Sequence, residues 1–213
     1  MATHKEFYKK VLSQVQERII SLGFRKRKHA FSLSVSEDVV GFLGLNQATG
    51  GRGPGVLEIN PVVGVRNQRV ERLVAELVGE PFDDLIPASA AANVGYLSPY
   101  SKYLPFIFTD GFPIDGPADQ LVEAVRTYGL PFIHFNVPLH ALVETMQSTR
   151  FAIQVVAVYR IPVALHLLGR NGEADSFVNN ELVKLGPRTD PAAERFRTFA
   201  NRFEALNRKP EAG

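Results

Sequence analysis

The residues whose types best suit binding or catalysis lie in one Pro- and Tyr-rich segment between positions 96 and 115. Tyrosine offers a large apolar ring with one polar hydroxyl, and it loses little conformational entropy when a partner covers it. Exposed tyrosines are therefore common at the energetic centres of protein interfaces. The segment predicts a partner-binding surface made of three tyrosines and two carboxylates: Tyr96, Tyr100, Tyr103, Asp110 and Asp115.

The two carboxylates also support a different hypothesis, a hydrolase-type enzyme. A cleft could bring Asp110 and Asp115 together for general acid and base catalysis. Aspartate at such positions is also explained by turn and helix-cap preference, because Asp110 precedes Gly111 and Asp115 precedes Pro117. No Gly-x-Ser-x-Gly motif is present, so the sequence leans towards a non-catalytic protein and leaves an enzyme as an alternative.

A run of four consecutive cations is the strongest local charge feature: Arg25, Lys26, Arg27 and Lys28. Such a run can bind nucleic acid, phosphate or an acidic protein partner. The alternative is a solvated turn between the first helix and the first strand, because four adjacent charges cannot all be buried. No motif that reads RNA or DNA accompanies the run. An anion or nucleic-acid binder is therefore the second functional hypothesis.

Signals for metals and cofactors are weak. The five histidines lack the spacing of about four residues that a helical zinc pair needs. The chain has no cysteine, which excludes disulfides, thiol nucleophiles, cysteine zinc sites and cysteine-ligated iron–sulfur clusters. The glycines between positions 50 and 55 precede a predicted strand, and no Gly-Lys-Ser/Thr follows them, which argues against a phosphate loop. We expect neither a metal nor a cofactor.

The charges are distributed unevenly along the chain. The first 30 residues carry eight Lys and Arg against two acids, whereas residues 31–185 carry ten against sixteen. The N-terminus has no apolar run behind its charges, so it does not read as a secretory signal. The most apolar window, residues 151–168, is interrupted by polar residues and a proline, so it does not read as a membrane span. With no cysteine, these features favour a cytoplasmic protein that does not engage a membrane.

Hydrophobic periodicity predicts the elements that must position these residues. Alternating apolar residues indicate strands, and apolar residues every three or four positions indicate helices. We expect strands over 31–36, 39–47, 56–65, 94–97 and 103–108, and helices over 4–22, 68–78, 117–128, 138–146, 173–185 and 191–208. Residues 151–168 suit a buried strand or a helix; we prefer a helix that is broken near Pro162.

Short connections between the strands favour antiparallel pairing, and the helices are segregated from the strands. The predicted fold class is α+β, with an N-terminal helix, an antiparallel sheet of about five strands with a helix inserted after the third, and a C-terminal helical segment. We expect an α+β domain over residues 1–150 and a helical extension over 151–208 packed on it as one structural unit. Residues 209–213 should form a disordered tail.

Two stretches of the sequence are similar to a known family. The helix end Leu22-Gly23-Phe24-Arg25-Lys26 and the hairpin end at residues 39–47 resemble a bacterial domain-of-unknown-function family, some of whose members are grouped with immunity-like proteins of polymorphic toxin systems. Residues 121–132 resemble its closing helix and Tyr-x-x-Pro-Phe turn, so the likeness covers residues 5–47 and 117–150. It implies an α+β binding module without a transferable catalytic motif. The leading hypothesis is a non-catalytic, immunity-like interaction module that binds another protein.

Overall fold

The structure is a computed structural model that describes residues 2–28, 30–48, 52–84, 88–148, 151 and 154–208. The chain divides into two compact units, each assembled from two separate pieces of sequence. Unit 1 comprises Met1–Val65 and Ala91–Phe135, and unit 2 comprises Arg66–Ala90 and Asn136–Gly213. This division differs from a boundary at residue 150, because an internal segment groups with the C-terminal helices. The predicted tail over 209–213 lies outside the described residues.

The predicted α+β fold class is confirmed, with an N-terminal helix, a mostly antiparallel sheet and C-terminal helices. Unit 1 and the segment inserted in it contain, in chain order, α1 (Ala2–Ser21), β1 (Arg25–Arg27), β2 (Ala30–Ser34), β3 (Val39–Ala48), β4 (Val56–Asn67), α2 (Gln68–Val78), β5 (Ala90–Asn93), α3 (Val94–Leu97), β6 (Phe106–Thr109), α4 (Asp115–Ala124), a π-helical turn (Val125–Gly129) and α5 (Leu130–Phe135). Four helices follow: α6 (Leu139–Gln147), α7 (Gln154–Leu167), α8 (Asn171–Leu185) and α9 (Pro191–Asn207).

The described strands form one sheet in the order β1-β2-β3-β4-β5, and β6 pairs with β4. Residues directly opposite each other in an antiparallel pair share a face of the sheet. Leu57 lies opposite Phe108, and both are buried, so this side is called the inner face. Glu58 lies opposite Ile107 on the other side, called the outer face.

Close backbone approaches place helical segments against the inner face. A Cβ atom added to Gly41 of β3 would meet the Ile133 side chain of α5 at 2.8 Å. One added to Gly129 would meet Val63 of β4 at 2.9 Å. Glycine at these two positions therefore lets helix and sheet backbones approach more closely than any other residue would allow.

Two sequence predictions in unit 1 are wrong, and local hydrogen bonds account for both differences. Gly129 does not end the helix that begins near residue 115; the chain continues through the π-helical turn into α5. The N–H of Leu130 bonds the carbonyl of Val125, and Pro131, which has no N–H to donate, follows it. Residues 94–97 form the one-turn helix α3 rather than a strand, because the Asn93 side chain accepts a hydrogen bond from the Gly95 N–H and caps the turn.

The preference for a helix over residues 151–168 is confirmed for Gln154–Leu167, but the expected break near Pro162 is not found. Proline removes one hydrogen bond from a helix, yet α7 continues through it. Helix α7 contacts α2, α6, α8 and α9, so it lies at the centre of unit 2. Burial on several sides also explains why it carries the β-branched residues that made its sequence look like a strand.

The interior of unit 2 combines an aromatic cluster with a buried ion pair. The rings of Tyr159, Phe196 and Phe199 lie with centroids 5.1–5.7 Å apart, in tilted and edge-on arrangements. Arg160 Nε lies 2.7 Å from Glu71 Oε1, and both side chains are only 2% exposed. None of the helices in the described parts of the chain is long and apolar enough to cross a membrane.

Candidate functional site

The outer face of the sheet in unit 1 carries the most distinctive polar and aromatic surface. A shallow cavity of about 270 Å³ opens there between the ends of β3, β4 and β5 and the segment after α3. We call its lining the outer-face cluster: Asn46, Gln47, Ala48, Glu58, Asn60, Asn93, Tyr96 and Tyr103. Glu58 and Asn60 reach this face because they alternate with the buried Leu57 and Ile59 along β4.

A chain of hydrogen bonds runs across the outer-face cluster. Arg52 Nε donates to Glu58 Oε2 at 2.8 Å, and the Tyr103 hydroxyl donates to Glu58 Oε1 at 2.5 Å. Asn93 Nδ2 donates to Asn60 Oδ1, while Asn93 Oδ1 accepts from the Gly95 N–H. These polar groups are paired with one another, so the surface is preorganised before any partner arrives.

The same hydrogen bonds set the protonation states at the site. Hydrogen bonds from Arg52 and then Tyr103 lower the pKa of Glu58 below its ordinary value. The hydrogen bond to Glu58, followed by burial, raises the pKa of Tyr103 above its ordinary value. At neutral pH the pair therefore consists of an ionised carboxylate and a neutral phenol.

Gly95 fixes the segment that carries the tyrosines. A Cβ atom at this position would clash with the Lys102 carbonyl oxygen and would lie 2.6 Å from the Leu104 side chain. Ser98 Oγ donates to the Gly95 carbonyl at 2.7 Å, and the Ser101 N–H bonds the Ser98 carbonyl at 2.9 Å. The tyrosine segment is thus folded tightly over α3 rather than loosely attached to it.

The structure brings together two of the three tyrosines that the sequence singled out. Tyr96 and Tyr103 line the cavity with 44% and 49% of their surface exposed, while Tyr100 lies outside the lining and is 77% exposed. The amide residues of the cluster were not predicted. The alternation of Glu58 and Asn60 with apolar neighbours in β4 is the signal that could have found part of it.

The two aspartates proposed as loop carboxylates lie away from the outer-face cluster and have other partners. Asp110 Oδ2 is 3.5 Å from His4 Nδ1. Asp115 Oδ1 is 2.5 Å from an Arg18 nitrogen, and Arg18 also contacts Asp119 at 2.8 Å. The catalytic hypothesis for Asp110 and Asp115 stays a prediction, and these contacts offer each carboxylate a structural role at a turn or a helix start.

Three of the four residues of the basic run form the whole of the short strand β1. Arg25 and Arg27 lie opposite Ser32 and Ala30, whereas Lys26 donates from Nζ to Gln16 Oε1 at 2.6 Å on the side of α1. Lys28 follows with a positive φ of 50°. Among the described strands, β1 is at the end of the sheet order. Charged side chains on a short edge strand discourage pairing with another chain.

Removing this charge is expected to promote self-association. The double variant Arg25→Thr/Arg27→Thr keeps strand propensity and leaves Lys26, which bonds Gln16 of α1, as the one charged residue of β1. We therefore expect at least tenfold tighter dimerisation, or about 1.4 kcal/mol. Sedimentation over a concentration series measures this, with Lys9→Thr/Lys10→Thr on the exposed side of α1 as the charge-matched control. Equal association of the two variants would contradict the edge role. Binding of anions by Arg25, Lys26, Arg27 and Lys28 remains a separate prediction.

Comparisons with known protein families, with curated proteins and with solved structures gave no match to this chain. The described residues also contain no group of three or more His, Asp or Glu side chains placed to hold a metal ion.

Proposed function

We propose that this chain is a non-catalytic, cytoplasmic protein-binding module that engages its partner through the outer-face cluster and the adjacent Tyr100. The observation that carries the proposal is the arrangement of three substantially exposed tyrosines, Tyr96, Tyr100 and Tyr103, on a tightly folded segment. Rigid, exposed aromatic side chains are the groups that most often dominate binding energy at protein interfaces.

The polar part of the outer-face cluster suits burial under a partner. Buried polar groups destabilise a complex when they lose water without gaining a hydrogen bond. Here Glu58 is already paired with Arg52 and Tyr103, and Asn60 is already paired with Asn93. A partner can therefore cover the patch without leaving these groups unsatisfied, and the tyrosine rings can supply the favourable apolar contact.

An immunity-like role, in which the partner is a bacterial toxin, is the specific form of this proposal. It is supported by the resemblance over residues 5–47 and 117–150 and by the acidic balance of residues 31–185. The association of such a pair depends on surface complementarity rather than on catalysis by this chain.

The experiment compares partner retention by surface variants of the tagged protein purified from its source cell. We expect Tyr96→Ala/Tyr100→Ala to weaken retention of the partner at least tenfold, because truncating interface tyrosines removes more than about 1 kcal/mol each. Phe135→Ala is the matched control, since Phe135 is also an exposed aromatic of unit 1 but lies at the end of α5.

Circular dichroism and thermal unfolding should show that both variants remain folded. Undiminished retention by the tyrosine variant would refute the outer-face site. A wild-type protein that retains no partner and turns over a substrate from a hydrolase panel would refute the proposed non-catalytic function. In that case, the loop carboxylates Asp110 and Asp115 become the first positions to substitute.

A further inference from the structure

Unit 2 contains a second cavity that the proposed function does not use. It has a volume of about 440 Å³ and is lined by residues of α2, α7, α8 and α9. Its walls are mainly apolar and include Val74, Val78, Val156, Leu185 and Phe196. Cavities of about 300–1,000 Å³ with apolar walls and a few polar groups are typical of small-molecule sites.

The charged residues that line this cavity are already neutralised by neighbours. They form four ion pairs with N–O distances of 2.5–2.8 Å: Glu71 with Arg160, Glu80 with Arg195, Arg188 with Asp190, and Glu181 with Lys184. A charged ligand would gain little from the buried pair of Glu71 and Arg160, and it would have to share the charges of the other three pairs with partners that are already present. The lining therefore favours an uncharged ligand over an anion or a cation.

The buried polar groups that line the cavity are held in place by hydrogen bonds and an ion pair. Glu71 Oε1 accepts hydrogen bonds from Arg160 Nε and from Ser89 Oγ, both at 2.7 Å, and Arg160 also donates to the Ala88 carbonyl at 3.1 Å. Because these groups are buried and bonded to one another, they shape the cavity without offering an unpaired charge to a ligand.

Tyr159 supplies a neutral polar group among the apolar walls. Its ring packs against Phe196 and Phe199, and the guanidinium of Arg195 lies 5.5 Å from its centroid. Burial raises the pKa of the Tyr159 phenol, and the charges that act on it belong to Arg195 and Glu80, which also line the cavity. The hydroxyl is therefore protonated at neutral pH and able both to donate and to accept a hydrogen bond.

We propose that unit 2 binds an uncharged, predominantly apolar small molecule in this cavity, with the Tyr159 hydroxyl as its hydrogen-bonding partner. The ligand's apolar body replaces water along Val74, Val78 and Leu185, and one neutral oxygen or nitrogen meets Tyr159. The site uses no residue of the outer-face cluster, so a test of this proposal does not depend on the outcome of the protein-binding test.

Two fluorescent probes of the same skeleton test the ligand class directly. N-phenyl-1-naphthylamine is neutral and apolar with one N–H, whereas 8-anilino-1-naphthalenesulfonate adds a sulfonate to it. We expect the full-length protein to bind the neutral probe at least tenfold more tightly than the sulfonate, because the lining charges are already paired. No binding of the neutral probe, or equal binding of both probes, would overturn the proposal.

Variants at the cavity mouth locate the binding. Ala192 is exposed and lines the cavity, so Ala192→Trp should obstruct it without disturbing the core, and we expect at least a tenfold loss of neutral-probe binding. Ala205→Trp is the matched control, since Ala205 is an exposed alanine of the same helix outside the lining. Equal probe binding by the two tryptophan variants would place the probe elsewhere and overturn the site.

Tyr159→Phe tests the hydrogen bond while keeping the ring. We expect it to weaken the neutral probe by about 2–10-fold, in line with the net contribution of one hydrogen bond. Binding of naphthalene, which has no polar atom, should change less than twofold in the same variant. If the substitution weakens the binding of N-phenyl-1-naphthylamine and of naphthalene equally, the hydroxyl has only a packing role. Its assignment as the ligand's hydrogen-bonding partner is then wrong.

Discussion

Replacing Arg160 with methionine is expected to lower the free energy of unfolding by about 3–5 kcal/mol. The carboxylate of Glu71 is 2% exposed and would lose its ion-pair partner in the interior of unit 2, where it would keep only the electrostatic attraction of the buried Arg66. Arg160 also donates to the Ala88 carbonyl, so the substitution would remove that hydrogen bond too. Removing one member of a buried pair is far more destabilising than the pair itself is stabilising, because the remaining charge stays desolvated.

Urea denaturation of three variants measures this effect. Arg195→Met is the control, because it breaks a substantially exposed ion pair with Glu80 and should change the free energy of unfolding by only about 0–1 kcal/mol. The double variant Glu71→Gln/Arg160→Met removes both charges and keeps an acceptor for Ser89, so part of the loss should be recovered. If the free energy of unfolding of Arg160→Met lies within about 1 kcal/mol of the wild-type value, the ion pair is not isolated from water.

Substituting Gly95 with alanine is expected to destabilise unit 1 by about 1–3 kcal/mol and to weaken partner binding with it. The added methyl would clash with the Lys102 carbonyl oxygen, and because this is a backbone atom no side-chain rotation can relieve the clash. The segment 102–104 would have to move away, and Tyr103 would move with it. The hydrogen bond between Tyr103 and Glu58 should therefore weaken in the folded protein.

Thermal unfolding measures the loss of stability. The ultraviolet titration of tyrosine measures the weakening of the hydrogen bond between Tyr103 and Glu58. Gly172→Ala on the exposed side of α8 is the matched control, since apart from its chain neighbours nothing lies within 4 Å of a Cβ added there. The control should be neutral or slightly more stable, because alanine favours a helix over glycine by about 1 kcal/mol. Comparable stability of the Gly95 and Gly172 variants would mean that the tyrosine segment adapts freely to the extra carbon.

Local sequence patterns predicted much of the fold. Alternation of Phe31 and Leu33 with serines identified β2. The side chain of Asn67, a residue type that favours helix starts, caps α2 by accepting from the N–H groups of Arg69 and Val70. Gly79 ends that helix in the left-handed conformation. These elements were predictable because the residues that determine them are close in sequence.

The elements that were missed depend on tertiary contacts. Strand β1 consists of Arg25, Lys26 and Arg27, so it has no apolar alternation to reveal it, and its pairing with β2 is what makes it a strand. The helical path through Gly129 and Pro162 likewise reflects packing against the sheet and against neighbouring helices. Propensity is a weak guide where burial determines the conformation.

The candidate site was predictable only in its aromatic part. Tyr96, Tyr100 and Tyr103 are neighbours in sequence, so composition alone drew attention to them. Their polar partners Glu58 and Asn60 come from β4, and the pairing of β4 with β6 is what brings them to the tyrosines. The cavity of unit 2 could not be predicted either, because its walls come from helices that are distant in the chain.

The discontinuous construction of the two units has a consequence for the order of events during synthesis. All the segments of unit 1 exist once residue 135 has been made, whereas unit 2 still lacks every helix from α6 onward. Until then, the amphipathic helix α2 has no C-terminal helices to cover Val70, Ala75 and Leu77. The segment that carries it begins and ends in β4 and β5, which are neighbours in the sheet. Early closure of the sheet would therefore hold the ends of this segment together and reduce the entropy that α2 must lose when its partners emerge.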